Sequence, residues 1–160
     1  MEKHKKTNVM RLLEQAKIPY SSHEYEYTED DPTGKHMGHE DILPREQIFK
    51  TLVARGGKGQ IHVFCIPIDS ELDLKKAAKV CGEKSIEMIH VRELLSLTGY
   101  MRGGCSPIGM KKKYPTVMDE TAALFDEIAI SAGARGCQVI LSPHALRDYT
   151  GAELADITVL

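Results

Sequence analysis

The stretch Ile48-Phe49-Lys50-Thr51-Leu52-Val53-Ala54-Arg55-Gly56-Gly57-Lys58-Gly59-Gln60-Ile61-His62-Val63-Phe64-Cys65-Ile66-Pro67-Ile68 decides the fold class. Its first apolar run, Ile48, Phe49, Leu52 and Val53, fits a helix or a strand by spacing alone. Its second run, 61–68, is short, continuous and rich in β-branched and aromatic residues, the pattern of a buried strand. Gly56, Gly57 and Gly59 lie between the two. An apolar run, a glycine turn and a second apolar run favour a β-hairpin. Lys50 then sits inside a strand, its side chain pointing opposite to Phe49 and Thr51. A lysine so placed is either a snorkelling edge residue or a partly buried ammonium facing a cleft, where it would polarise an oxygen or grip a phosphate.

Outward from the hairpin, helices and further strands alternate. Residues 8–17 predict an amphipathic helix with Val9, Leu12, Leu13 and Ala16 on one face, capped by Thr7 or Asn8 and stopped by Pro19. Residues 20–27 alternate as a strand does, and 28–41 are polar, with Pro and Gly, and read as a loop. On the other side, 72–81 predict a helix stopped by Gly82, 85–90 a short strand or turn, and 91–98 a helix ending at Gly99. Strands are expected at 127–131 and 138–142, joined by the hairpin-type loop Ala-Gly-Ala-Arg-Gly-Cys. A short helix, His-Ala-Leu-Arg-Asp-Tyr-Thr, and a last strand, Ala-Asp-Ile-Thr-Val-Leu, close the chain. Hairpin-linked strands with helices between groups make a mixed α+β fold. The 160 residues form one domain, 1–160, without repeats or a linker.

Composition narrows the function. Apolar residues make up 42% and charged residues 28%, an ordinary globular balance. No run approaches the ~18 apolar residues of a membrane span, and no apolar core follows the basic start, so the expected location is the cytoplasm. Cys65, Cys81, Cys105 and Cys137 lie far apart and read as free thiols of a reducing compartment. A net charge of -2 argues against binding nucleic acid by bulk charge, since phosphate neutralisation supplies most non-specific affinity.

Four places carry chemistry. In Tyr100-Met-Arg-Gly-Gly-Cys-Ser-Pro-Ile-Gly109, Gly103 and Gly104 allow close backbone approach and can aim N–H groups at an ester oxygen or a phosphate. Ser106 adds a hydroxyl and Pro107 stiffens the exit; the alternative is a plain surface turn. Cys105 has no His in a readable pairing, so a packed thiol is the better reading than a nucleophile. His36, His39, Glu40 and Asp41 are ligand-type residues in a polar loop, which reads as solvated rather than as a metal centre. Lys111, Lys112 and Lys113 are a solvated face, or, beside the Gly-Gly turn, a local steering patch for a polyanion.

Several segments together bring a family into view: Ile-Pro-Tyr-Ser-Ser-His-Glu-Tyr-Glu-Tyr, Gln-Ile-Phe-Lys-Thr-Leu-Val around Lys50, the helix at 72–81, Thr98 to Glu120 with its Gly-Gly-x-Ser-Pro-x-Gly, lysines and Pro-Thr-x-x-Asp, Ser131 to Pro143, and the closing Ala-Asp-Ile-Thr. The chain resembles the YbaK/EbsC group of Cys-tRNA(Pro) deacylases, similar to the editing domain inserted in bacterial prolyl-tRNA synthetases. It departs from that pattern at 28–41, where Pro32, Gly34 and Gly38 stand in a segment usually helical. It departs also at Gln138, where some members carry an acid.

The resemblance implies a largely antiparallel, curved or barrel-like sheet with surrounding helices, and an editing activity. The substrate would be tRNA(Pro) mischarged with cysteine, the reaction cleavage of its aminoacyl ester, and prolyl-tRNA synthetase the partner that supplies tRNA choice; no cofactor or metal is implied. An aminoacyl ester is already activated, so positioning and oxyanion stabilisation suffice, and the substrate's own thiol is thought to attack its carbonyl and leave as a thiolactone. By matching positions, Lys50 is the catalytic residue that holds or polarises the aminoacyl-adenosine end. Gly103 and Gly104 supply amides, Ser106 bonds the aminoacyl group or ribose, and Pro107, Tyr25 and Gln138 complete the binding site. The competing readings are a deacylase for another small amino acid such as alanine, and a non-catalytic aminoacyl-tRNA-binding module. The sequence leaves the oligomeric state open.

Overall fold

A computed structural model describes residues 6–30 and 43–160. The His36–Asp41 cluster and most of the polar loop expected at 28–41 lie outside the described residues. The decisive hairpin is formed by β2 (Phe49–Gly56) and β3 (Ile61–Pro67), antiparallel from Phe49 opposite Pro67 to Arg55 opposite Ile61. Its turn is closed by the Gly56 N–H on Gln60 O at 2.8 Å and the Gly59 N–H on Gly56 O at 2.9 Å.

This hairpin is the centre of a five-stranded mixed sheet of order β4-β2-β3-β5-β8, where β4 is Ile86–Met88, β5 Thr116–Asp119 and β8 Glu153–Ala155. The pairings of β3 with β5 and of β5 with β8 are parallel. A second, antiparallel sheet has the order β1-β7-β6, with β1 Tyr20–Glu24, β6 Ile128–Ala134 and β7 Cys137–Leu141. The sheets meet at a parallel bridge between Ile48 and Ala129, where Ile48, Ile68, Ala129 and Ile140 form a buried cluster.

Each helix covers one part of this frame. α1 (Asn8–Gln15) has its N-terminal Met10 N–H capped by the Thr7 hydroxyl at 3.2 Å and buries Val9, Met10 and Leu13 with Ile128, Ile130 and Val139 of the three-stranded sheet. α2 (Leu74–Cys81) is capped by Asp73 and ends at Gly82 in the left-handed conformation; its Ala77 and Ala78 pack on Ala54, Phe64, Ile66 and Val117. α3 (Val91–Thr98) lays Leu94 and Leu97 against Val53, Val63 and Cys105. Glu93 fixes its start, accepting from the His90 N–H at 2.9 Å and from Arg55 of β2 at 2.9 Å. α4 (Pro143–Thr150), capped by Ser142, buries Leu146 in the core shared with α1.

The expected elements are present with four differences. The strand read at 20–27 ends at Glu24, and β6 runs on to Ala134, leaving only Arg135 and Gly136 to turn the β6–β7 hairpin. The final strand is Glu153–Ala155 rather than the closing six residues, of which Thr158 makes an isolated bridge to Leu72. β5 had no strand signal of its own: its four residues are all buried, so no alternation marks it. No helix among the described residues is long and apolar enough to cross a membrane.

Candidate active site

A cavity of about 380 Å³ opens where the two sheets, α3 and the Gly-Gly turn come together. β2 contributes Lys50, Thr51 and Val53; the segment from β4 into α3 contributes Met88, Ile89, Val91 and Leu94 as an apolar wall. Arg102, Gly103 and Cys105 come from the turn, Ser131 from β6, Gln138 from β7, and Tyr25 from the residue after β1. Lys50 is half-buried and Gln138 almost wholly so. Gln138 is central in its sheet, opposite His23 on one side and Ser131 on the other, while Tyr25 is held by its N–H on Gly136 O at 2.9 Å.

The turn is shaped by its own hydrogen bonds. Gly103 has φ +86, a conformation that an L side chain resists. The Gly104 N–H donates to Met101 O at 2.9 Å. A Cβ on Gly104 would lie 3.2 Å from Arg135 N and 3.3 Å from Ala134 C, so this glycine lets the turn seat against the β6–β7 hairpin. Arg135 completes the joint, its Nε donating to Arg102 O at 2.7 Å. Ser106 is fully buried, and its Oγ accepts from the Ile108 N–H at 3.3 Å. Of the residues singled out in the sequence, the cavity therefore gathers Lys50, Tyr25, Gly103, Cys105 and Gln138. Gly104 and Ser106 are buried and do not line this cavity, and Pro107 lines a second one.

Burial pushes the Cys105 thiol up to about 12, with the neighbouring Cys65 adding to the shift and the Thr98 hydroxyl opposing it. Cys65 is likewise raised to about 12 by burial, with Thr51 Oγ1 at 3.8 Å from its sulfur. A thiol in that range is neutral near pH 7 and a poor nucleophile. Thr51, Arg102 and Ser131 were not singled out in the sequence. Arg102 had a legible signal, a cation directly before the Gly-Gly pair. Ser131 had none, because its place in the wall depends on β6 folding back beside β7.

A lysine, a positive-φ glycine and polar side chains beside a neutral thiol suit a domain that grips an activated ester and leaves the attack to another group. Residues 35–149 match the model of the aminoacyl-tRNA editing domain, and the chain belongs to that family. It is 46% identical over 153 residues to an Enterococcus faecalis protein provisionally named Cys-tRNA(Pro)/Cys-tRNA(Cys) deacylase EbsC, covering 96% of this chain and 93% of that one. A proline–tRNA ligase of Trichlorobacter lovleyi is 28% identical over 118 residues, 74% of this chain but 20% of the ligase. A crystal structure provisionally described as a trans-editing enzyme for prolyl tRNA synthetase superposes with a TM-score of 0.79 at 26% identity, covering 95% of each chain.

Proposed function

We propose that this chain is a trans-editing deacylase that releases cysteine from mischarged Cys-tRNA(Pro), working in the cytoplasm beside prolyl-tRNA synthetase. The observation that carries the reading is one cavity that holds Lys50, Gly103, Gln138 and Tyr25 around a thiol, Cys105, whose pKa is pushed up to about 12. The 46% identity to a protein named for Cys-tRNA(Pro) and Cys-tRNA(Cys) deacylation supports the same substrate.

In this reading the nucleophile is the sulfur of the substrate's cysteine. It attacks the ester carbonyl carbon, the bond from that carbon to the ribose oxygen breaks, and the ribose oxygen takes up a proton. Cysteine leaves as a four-membered thiolactone, which water then opens. Lys50 stabilises the oxygen that gains charge, and the Gly103 amide and Gln138 orient the aminoacyl-adenosine end. Gly104, with its amide engaged by Met101, and buried Ser106 keep the turn in shape; Pro107 joins them in that role. A chain with net charge -2 leaves the choice of tRNA to the synthetase.

Loss of one oxyanion-stabilising group typically costs about 10²–10³ in rate. Lys50→Ala should lower single-turnover deacylation of Cys-tRNA(Pro) by at least about 100-fold with an unchanged thermal midpoint; unchanged turnover overturns the assignment. Ala-tRNA(Pro), which lacks the thiol, should be a poor substrate for the wild-type protein. Equal rates on the two would replace thiolactone formation with attack by water.

A further inference from the structure

The second cavity, of about 350 Å³, adjoins the end of the Gly103–Pro107 turn, where Pro107 lines it. Its lining includes Pro107, Gly109, Lys112, Lys113, Tyr114 and Tyr149. Cys105 lines the first cavity and Pro107 the second, so two residues, at most about 7 Å of extended chain, separate their walls. Lys112 and Lys113 are exposed. Among the described residues, five cations are matched to carboxylates, Lys6 to Glu14, Arg45 to Asp69, Arg55 to Glu93, Lys76 to Asp156 and Arg135 to Glu29; Lys112 and Lys113 are not among them. No described carboxylate pairs with Lys112 or Lys113. Two tyrosines are among the lining residues: the Tyr114 hydroxyl donates to Leu97 O at 2.8 Å, and half-buried Tyr149 packs against the main core.

Unpaired lysines beside fixed aromatic rings are the composition of a groove for single-stranded nucleic acid, phosphates on the cations and bases on the rings. Resting on the reading of the first cavity as the aminoacyl-ester site, we propose that this second cavity holds the single-stranded 3' segment of the RNA, the nucleotides that precede the esterified terminal adenosine. The turn is then a partition with the reacting ester on one side and the incoming strand on the other. Arg102, exposed at the first cavity, stands where the strand would cross.

The test is the double variant Lys112→Ala/Lys113→Ala, assayed on Cys-tRNA(Pro) and on the minimal ester 3'-O-cysteinyl-adenosine, which has no phosphate. The expected result is a KM for Cys-tRNA(Pro) raised about tenfold or more, kcat unchanged, and no change on the minimal ester. An unchanged KM for the tRNA, or an equal loss on both substrates, overturns the proposal. A binding arm uses a fluorescent RNA hexanucleotide ending in CCA. The wild type should bind it more tightly than the variant, with a log–log salt slope steeper by about 1.4, two phosphates at ~0.7 each. Equal affinity overturns the groove. If the wild type cleaves neither ester, the deacylase reading fails, and the hexanucleotide still decides whether the groove binds RNA.

Discussion

Cys105 and Cys65 lie next to the site with thiols raised to about 12 by burial, against an ordinary value of about 8.5. Below the ordinary value both folded and unfolded chains keep these protons, and the thiols add no pH dependence. Between it and about pH 12 the unfolded chain has released protons that the folded chain retains. The unfolded state then binds fewer protons, so stability falls as pH rises, by at most about 1.4 kcal/mol per pH unit for each thiol. The urea midpoint of the wild type should drop from pH 9 to 11 more steeply than that of Cys65→Ala/Cys105→Ala; equal slopes would deny the burial effect. The Cys105→Ala single variant should keep its deacylation rate within about twofold, since a neutral thiol contributes little as a nucleophile. A loss of several hundredfold would return the attack to the protein. At this scale the sequence was informative for Lys50, Tyr25, Gly103 and Gln138, all now in one cavity. It was silent on Thr51 and Ser131, small polar residues with no local pattern, whose partners come from distant strands.

β5 shows what elements add. Its residues Thr116–Asp119 belong to the Pro-Thr-x-x-Asp signature, part of the segment that carries the family resemblance. In the fold, Asp119 is 1% exposed and works as a fastener. One carboxylate oxygen accepts from the Thr121 N–H at 3.2 Å and from its hydroxyl at 2.5 Å; the other accepts from the Ile157 N–H at 3.2 Å. The carboxylate thereby closes the turn after β5 and ties down the segment beyond β8. Asp119→Ala leaves these donors without their partner, at a cost of about 2–4 kcal/mol. That should appear as a melting midpoint lower by roughly 5–12 °C, while kcat at a temperature where the variant is folded stays near wild type. A normal melting point with lost activity would instead place Asp119 in the chemistry. The β2–β3 hairpin and the stops at Gly82 and Gly99 were legible because glycine turns and left-handed caps are local signals. β5 and β8 were not, since parallel pairing is decided by strands far away in sequence.

At the scale of the whole molecule, the mixed α+β class was legible from the alternation of elements. The division into two sheets was not. It arises where Ile48 and Ala129 bridge, a contact between segments that show no pairing signal. That seam lies two residues from Lys50. The cavity takes Lys50 and Thr51 from one sheet and Ser131 and Gln138 from the other, so the site exists only while the sheets hold their relative positions. The joint is held by the small cluster of Ile48, Ile68, Ala129 and Ile140 and by the main core, where Phe49, Cys65 and Met118 of one sheet pack with Ile128, Ile130 and Val139 of the other. Catalysis is thus a gauge of that joint: a slight slippage of one sheet on the other parts the lysine from the glutamine while every helix stays folded. In a urea titration, deacylation should fade at lower denaturant than the helical circular dichroism signal; coincident curves would mean that seam and cores yield as one unit.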